Sequence, residues 1–374
     1  MDERRCLIAL NASNLSRAAL CRLAQAADRW RGAGPADAAA LAPVLGVPQE
    51  QLRRAFAALA RRDEIVGREL ELAAARGVEI LTLGDPAYPQ ALLELALPPP
   101  VLYCRGRLDE RPAVAIVGAR RMDAYGREAT ELFASRLAAA GMTIVSGFAR
   151  GIDATAHHAA LSAAGGRTVA VLGCGVDVHY PRGQSGLAER IAERGALLSE
   201  FPFATLPRPW HFPIRNRVIA ALAWATLVVQ ATPRSGSLIT AHHAMELGRD
   251  VYAVPGRIFD ESSLGTNHLL ADGALVARSP EDLIEGGARH GLALPGQRPL
   301  FAPGAAAEAP PEPLPPPPGG TAGKVLEALP PGKGQTAEDI AGRLEVPVDQ
   351  VLGVLLELEL GGWVRREPGP VYVR

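Results

Sequence analysis

Arg215, Asn216 and Arg217 stand in a row within HFPIRNRVI, between an aromatic-proline turn and an apolar run. Guanidinium groups beside aromatic rings suit phosphates and stacked bases: the planar fork matches phosphate oxygens, and a ring face accepts a base or a cation. Three further segments, VAIVGAR (Val114 to Arg120), SGFARGID (Ser146 to Asp153) and RSGSLITA (Arg234 to Ala241), combine Gly, Ser and Arg as strand-to-helix turns do. The free amides of a helix N-terminus and a nearby guanidinium can share one phosphate. Together the four segments outline one anion-binding pocket.

The turn VGAR is not a dinucleotide fingerprint. After Gly118 come Ala119, Arg120, Arg121 and Met122, and the next glycine is Gly126, so ordinary NAD binding is disfavoured. What the turn supplies is Arg120, at a strand end facing a helix N-terminus. In SGFARGID, Ser146 and Gly147 end a strand and Arg150 and Gly151 form the turn. Asp153 is placed to cap the following helix, a role preferred here over catalysis. Ser235, Gly236 and Ser237 offer amides and hydroxyls for a second phosphate at another helix start. The segments YPRGQSG and GTNHLLADGA are expected to add glycine-rich turns at strand ends.

The histidine pairs His157/His158 and His242/His243 are adjacent in sequence. Adjacent residues on a helix point about 100° apart and cannot make an i, i+4 metal pair, so one of each pair is expected to be buried as a structural donor. Asp153, Asp177 and Glu200 fall on different turns, and no Ser-His-Asp or Cys-His spacing emerges. No catalytic constellation, metal or cofactor is expected.

The chain has 374 residues, 48% of them apolar, which leaves room for two or three packed domains. A formal net charge of -1 gives no bulk attraction to a polyanion, so any such binding must come from charge placement. Nearly all positive charge is arginine, the only lysines being Lys324 and Lys333; codon bias accounts for that without a site. Cys6, Cys21, Cys104 and Cys174 are scattered, which argues for reduced structural thiols. The start MDERRCLIALN lacks a secretory apolar core, and no apolar run of roughly 18 residues occurs, so a cytoplasmic protein without a membrane span is expected.

Residues 1–84 carry helical patterns in LSRAALCRLAQAA, DAAALAPVLG and PQEQLRRAFAALARR and form an expected helical, helix-hairpin-like domain. From 85 to 285, after a proline-rich connector and a strand at Val101 to Cys104, short apolar runs alternate with amphipathic stretches: VAIVG, helix Ala124 to Ala140, TIVSG, helix Ala154 to Ala163, TVAVLG, helix Leu187 to Glu193, ALLSE, helix Asn216 to Ala223, TLVVQA, helix Ser237 to Leu247, DVYAVPG and ALVA. That alternation predicts an α/β fold, an extended Rossmann-like, doubly wound and mainly parallel sheet. Ligands of such sheets bind beyond the carboxyl ends of the strands, where the chain reverses order, and the motifs above fall at those ends. Residues 286–320 are too rich in Pro, Gly and Ala to pack and are expected to be a tether. Residues 321–374 read as three helices and a β-wing, a C-terminal winged helix.

Taken in order, GAR, SGFARGIDATAHHAAL, VLGCGVDVHYP, SEFPFATLPRPWHFPIRNRVIAAL, SGSLITAHHAMELGRDVYAVPG and GTNHLLADGA resemble the signature blocks of the DNA-processing protein A family, also called Smf, over about Asp85 to Asp282. The resemblance implies a Rossmann-like core that binds single-stranded DNA, dimerises, and loads the RecA recombinase in natural transformation or recombination, without enzymatic turnover. Carried over by motif, the DNA-binding residues are Gly118, Arg120, Ser146, Gly147, Arg150, Phe212, Arg215, Asn216, Arg217, Ser235, Gly236 and Ser237, with Phe212 or Trp210 packing on a base. Two positions depart from the family pattern: Gln230 stands where Glu is usual and Gln184 where Asn is usual. The GxG hairpin turn is absent from LNASNLSRAAL.

The alternative is a nucleotide-binding or nucleotide-cleaving enzyme of a related Rossmann-like family. Those enzymes carry a PGGxGTxxE block; RSGSLITAHHAME is the nearest counterpart and lacks the PGG lead, though it retains Glu246. A duplex-binding transcription factor is disfavoured because VDQVLGVLLELELGG, the expected recognition helix, carries Asp349, Glu357 and Glu359 and no basic residue. Protein docking or dimer support is the role expected of that domain.

Overall fold

The structure, a computed structural model, describes residues 2–292, 319–330, 334–360, 363–367 and 371–373. Nine strands form one sheet: β1 (Val78–Thr82), β2 (Val101–Gly106), β3 (Ala113–Val117), β4 (Thr143–Ser146), β5 (Arg167–Leu172), β6 (Ala196–Ser199), β7 (Ala225–Val228), β8 (Asp250–Ala253) and β9 (Leu275–Val276). Their order is β1-β2-β6-β5-β4-β3-β7-β8-β9. From β6 to β9 every pairing is parallel, while β1 and β2 add an antiparallel extension. The chain winds outward from β3 to β6, then returns to place β7 on the other side of β3. That reversal opens a crevice at the strand ends.

Apolar, β-branched runs such as VAIV and TVAVL suit strands covered on both faces. Helices α1 (Glu3–Asn11), α2 (Arg17–Gln25), α3 (Ala27–Trp30), α4 (Ala38–Leu45), α5 (Gln49–Ala60) and α6 (Arg62–Arg76) precede the sheet. Leu7, Ile8 and Val66 of this module pack with Tyr103, Leu172 and Leu197 of the sheet. The remaining helices of the core are α7 (Ala124–Ala139), α8 (Ile152–Ser162), α9 (Ser185–Arg194), α10 (His211–Leu222), α11 (Ser237–Glu246), α12 (Glu261–Ala271) and α13 (Pro280–Arg289). Phe133, Leu137, Ile152, Ala156 and Leu283 put α7, α8 and α13 on one face. Val218, Ile219, Ala241 and Leu269 put α10, α11 and α12 on the other.

Four differences from the sequence expectations have physical causes. Val78–Thr82, within the stretch expected to be helical, is a strand paired with β2; five residues are too few to show a period on their own. Helix α10 starts at His211 rather than Asn216, because Pro213 falls in the first turn, where its missing N–H leaves no gap. GTNHLLADGA is largely helical within α12; Gly265 is there for close approach, its N–H donating to the Ala231 carbonyl at 2.7 Å. Helix α13 runs to Arg289, past residue 286 where the tether was expected to begin, and 293–318 lie outside the described residues.

The C-terminal unit has α14 (Thr321–Ala328), β10 (Gln335–Thr336), α15 (Ala337–Leu344), α16 (Val348–Leu360), β11 (Arg365–Glu367) and β12 (Val371–Val373), with the strands ordered β10-β12-β11. Val325, Ile340, Val351 and Leu355 fill its core. Thr336 and Asp339 form a capping box that starts α15. This is the winged helix expected from the sequence.

Two glycines test the packing. A Cβ at Gly265 would lie 2.6 Å from the Ala231 carbonyl oxygen and 2.8 Å from that of Thr232. Gly265→Ala should therefore destabilise by about 1–3 kcal/mol, despite a helix-propensity gain near 1 kcal/mol. A Cβ at Gly186 in α9 meets nothing within 4 Å, and Gly186→Ala should stabilise by about 0.5–1 kcal/mol. Urea denaturation midpoints moving in opposite directions are the expected result.

Candidate nucleic-acid interface

At the crevice lies a pocket of about 330 Å³. The end of β3 contributes Gly118 and Arg120, the turn after β4 contributes Ala149, α10 contributes Phe212, Arg215, Asn216 and Ile219, and the start of α11 contributes Ser235, Gly236, Ser237 and Thr240. The four α10 residues follow the i, i+3, i+4, i+7 spacing of one helical face. Gly118 is sterically required: a Cβ there would lie 2.7 Å from Cγ1 of Ile152 and 2.9 Å from the Gln230 carbonyl oxygen. Gly173 plays the same part beneath Phe212, whose ring lies 2.8 Å from where a Cβ would be.

Arg215 is the buried centre. One of its terminal nitrogens donates to the Gly147 carbonyl at 2.7 Å and to the carbonyl of Val171, and Nε donates to Oδ1 of Asn216 at 3.3 Å. Burial holds its pKa down to about 10, opposed by the neighbouring Asp153 carboxylate, so it remains charged at neutral pH. Burial likewise raises the pKa of Asp153, with Arg215 opposing. Asn216 donates to the Gly236 carbonyl at 3.0 Å and fixes the start of α11. Arg120 differs from Arg215. It is exposed, has no carboxylate within ion-pair distance among the described residues, and its guanidinium carbon lies 5.3 Å from the Phe212 ring centroid. The Ser235 and Ser237 hydroxyls lie 2.7 Å apart at the α11 N-terminus.

Of the twelve residues expected from sequence, Gly118, Arg120, Phe212, Arg215, Asn216, Ser235, Gly236 and Ser237 line this pocket. Four do not. Ser146 is buried and donates to the Ile116 carbonyl at 2.6 Å. Gly147 lies beneath Arg215 and Asp153, where a Cβ would come within 2.8 Å of both. Arg150 is exposed beyond the lining. Arg217, two residues beyond Arg215 and hence about 200° around the helix, pairs instead with buried Glu200 at 2.7 Å. Reading the Arg-Asn-Arg row as one cluster missed this because the helix was expected to start only at Asn216. Ile219 and Thr240 were also missed; the α10 periodicity, with the correct start, identifies the first.

Gly151, not Asp153, is the residue before α8, and the Asp153 carboxylate accepts from the Ala149 N–H at 3.2 Å. His157 is buried as expected. Since the Thr168 hydroxyl donates to the Ile144 carbonyl at 2.6 Å, Nδ1 of His157 must donate to that hydroxyl at 2.7 Å, which leaves Nε2 bare. Neither His242 nor His243 is buried, contrary to expectation. Gln230 donates to both oxygens of Asp123 at 2.9 Å, a contact that a second carboxylate could not make without a proton. Gln184 stands before α9, outside the pocket. Glu246 of α11 accepts from His243 and also lies outside it.

A doubly wound sheet with an arginine-lined pocket at its switch point, joined in one chain to a winged helix, defines the class. The family model for DNA recombination-mediator protein A matches residues 79–287, and that of the DprA winged helix domain matches 309–370. The chain belongs to the DNA recombination-mediator protein A family. It is 40% identical over 325 residues to Protein Smf of Synechocystis, covering 79% of this chain and 80% of that one. The structure is similar to that of DNA processing protein A from Streptococcus pneumoniae, with TM-score 0.65, 33% identity, and coverage of 75% of this chain and 97% of the other. It is also similar to that of DNA processing protein A from Helicobacter pylori, with TM-score 0.51, 32% identity, and coverage of 57% and 97%.

The geometry separates two kinds of arginine. Arg215→Ala should cost about 3 kcal/mol of stability, since it removes charge-assisted bonds and strands buried carbonyls. Arg120→Ala should stay within about 0.5 kcal/mol of the parent; equal losses in calorimetry would contradict the distinction. His157 titrates in the folded state at about 3 against 6.5 ordinarily, because burial disfavours its charged form. The unfolded chain then binds the proton first. Its contribution is complete above pH 6.5 and is lost as pH falls toward 3, at about 1.4 kcal/mol per pH unit. A His157→Gln variant that still folds should show a shallower decline in denaturation free energy over that window.

Proposed function

We propose that this protein binds single-stranded DNA in the pocket between α10 and α11, protects it, and delivers it to the RecA recombinase during natural transformation or recombination. The observation that carries this reading is Arg120, a guanidinium without a carboxylate partner among the described residues, lying 5.3 Å from the Phe212 ring centroid beside the α11 N-terminus. A phosphate can bridge Arg120 and the amides at Ser235 to Ser237, while Phe212 offers a face to a base. Family membership supports the recombination-mediator role. The Helicobacter pylori relative, described for its single-stranded DNA binding mode, supports the choice of ligand. In this proposal the protein acts as a cytoplasmic homodimer and turns over no substrate. No helix among the described residues is long and apolar enough to cross a membrane.

Fluorescence anisotropy of labelled oligo-dT and a matching duplex, titrated across a salt series, tests the reading. Single strands should bind preferentially. Arg120→Ala should weaken them at least about tenfold, or 1.4 kcal/mol, and reduce the salt slope by about 0.7 if one phosphate contact is lost. Phe212→Ala should cost about 1–3 kcal/mol. Unchanged affinity in both variants would overturn this pocket as the binding site.

A further inference from the structure

A larger cleft of about 890 Å³ opens across the turn from the pocket, between the helical module and the segment 201–214. The two depressions share one ridge. Pro209, Phe212 and Pro213 face the pocket, whereas Arg208, Trp210, His211 and Ile214 face the cleft. Trp210 is 56% exposed, and the Arg208 guanidinium carbon sits 5.4 Å from its ring centroid. An accessible indole beside a cation is the arrangement on which single-stranded bases stack.

The charges of the cleft are uneven. Arg61 and Glu64 pair with each other at 2.6 Å. Glu69 accepts from the Tyr103 hydroxyl at 2.6 Å, and burial raises its pKa, which reduces its weight as an anion. Arg17 is held by Oδ1 of Asn11 at 2.6 Å and the Glu200 carbonyl at 2.9 Å. Arg68 and Arg208 are exposed, and among the described residues neither has a carboxylate within ion-pair distance. A surplus of positive charge with an exposed aromatic rim suits a polyanion carrying flat groups. The walls are fixed in advance: Leu7, Ile8 and Val66 pack in one cluster with Tyr103 and Phe203.

We propose that this cleft is a second subsite for single-stranded nucleic acid. Nucleotides leaving the Arg120 pocket cross the ridge, one base stacks on Trp210, and Arg68 and Arg208 take the phosphates that follow. The proposal rests on the pocket reading and extends the track from the sheet crevice to the helical module.

The test is anisotropy of the full chain with an oligo-dT ladder from about 4 to about 16 nucleotides. Three variants are compared with the parent: Trp210→Ala, the double variant Arg68→Glu with Arg208→Glu, and Arg120→Ala. Both cleft variants alter exposed side chains, and thermal melting should confirm that they fold. Each should weaken the longest oligonucleotides by about tenfold or more and leave the shortest unchanged, while Arg120→Ala weakens every length. If Arg120→Ala loses affinity but both cleft variants bind long oligonucleotides like the parent, the second subsite is overturned and the pocket stands. If Arg120→Ala binds every length unchanged, the pocket reading fails and the continuous track fails with it.

Discussion

The candidate site depends on a buried cation. The Arg215 guanidinium joins α10 to the carbonyls of Gly147 and Val171, and so to the carboxyl ends of β4 and β5. A desolvated charge is tolerated only when its hydrogen bonds are made, which confines α10 to one orientation about its axis. Phe212 and Asn216 share that face and are aimed by the same constraint. Asn216 carries the constraint onward to Gly236 at the start of α11. The pocket walls are therefore set before any ligand arrives.

This separates the residues that shape the pocket from the arginine left open at its rim. Arg215 directs one terminal nitrogen at two backbone carbonyls and Nε at the Asn216 amide oxygen, and Arg217 is turned to Glu200. Arg120 sits on the rim without an acidic partner among the described residues, on a turn whose glycine is imposed by Ile152 and the Gln230 carbonyl. A protein of net charge -1 can in this way present a local cation at the rim of its crevice.

Much of this was legible in the sequence because strand and helix periods differ and strand ends carry glycine, serine and arginine. The parallel core and the winged helix follow from those signals, and of the twelve residues carried over by the family resemblance eight line the pocket. Arg217 does not, because helical phase depends on where α10 begins, and a first-turn proline looks like a stop. Ser146 and Gly147 were placed at the correct strand end, but sequence could not show that one is buried against Ile116 and the other beneath Arg215. The helical reading of GTNHLLADGA was hidden by its two glycines, of which Gly265 serves packing while Gly273 makes the turn ahead of β9.

The pairing of β1 with β2 gives the helical module and the core a common backbone ladder. The two are distinct as sequence patterns but not as hydrogen-bonded units, and the family match itself begins inside β1, at residue 79. Removing everything before residue 85 would bare the outer edge of β2, and an uncovered strand edge invites pairing with other chains. The accessory module thus acts as a hem for the sheet, moving its edge from β2 out to β1, where Arg4 of α1 donates to the Ile80 carbonyl at 2.9 Å.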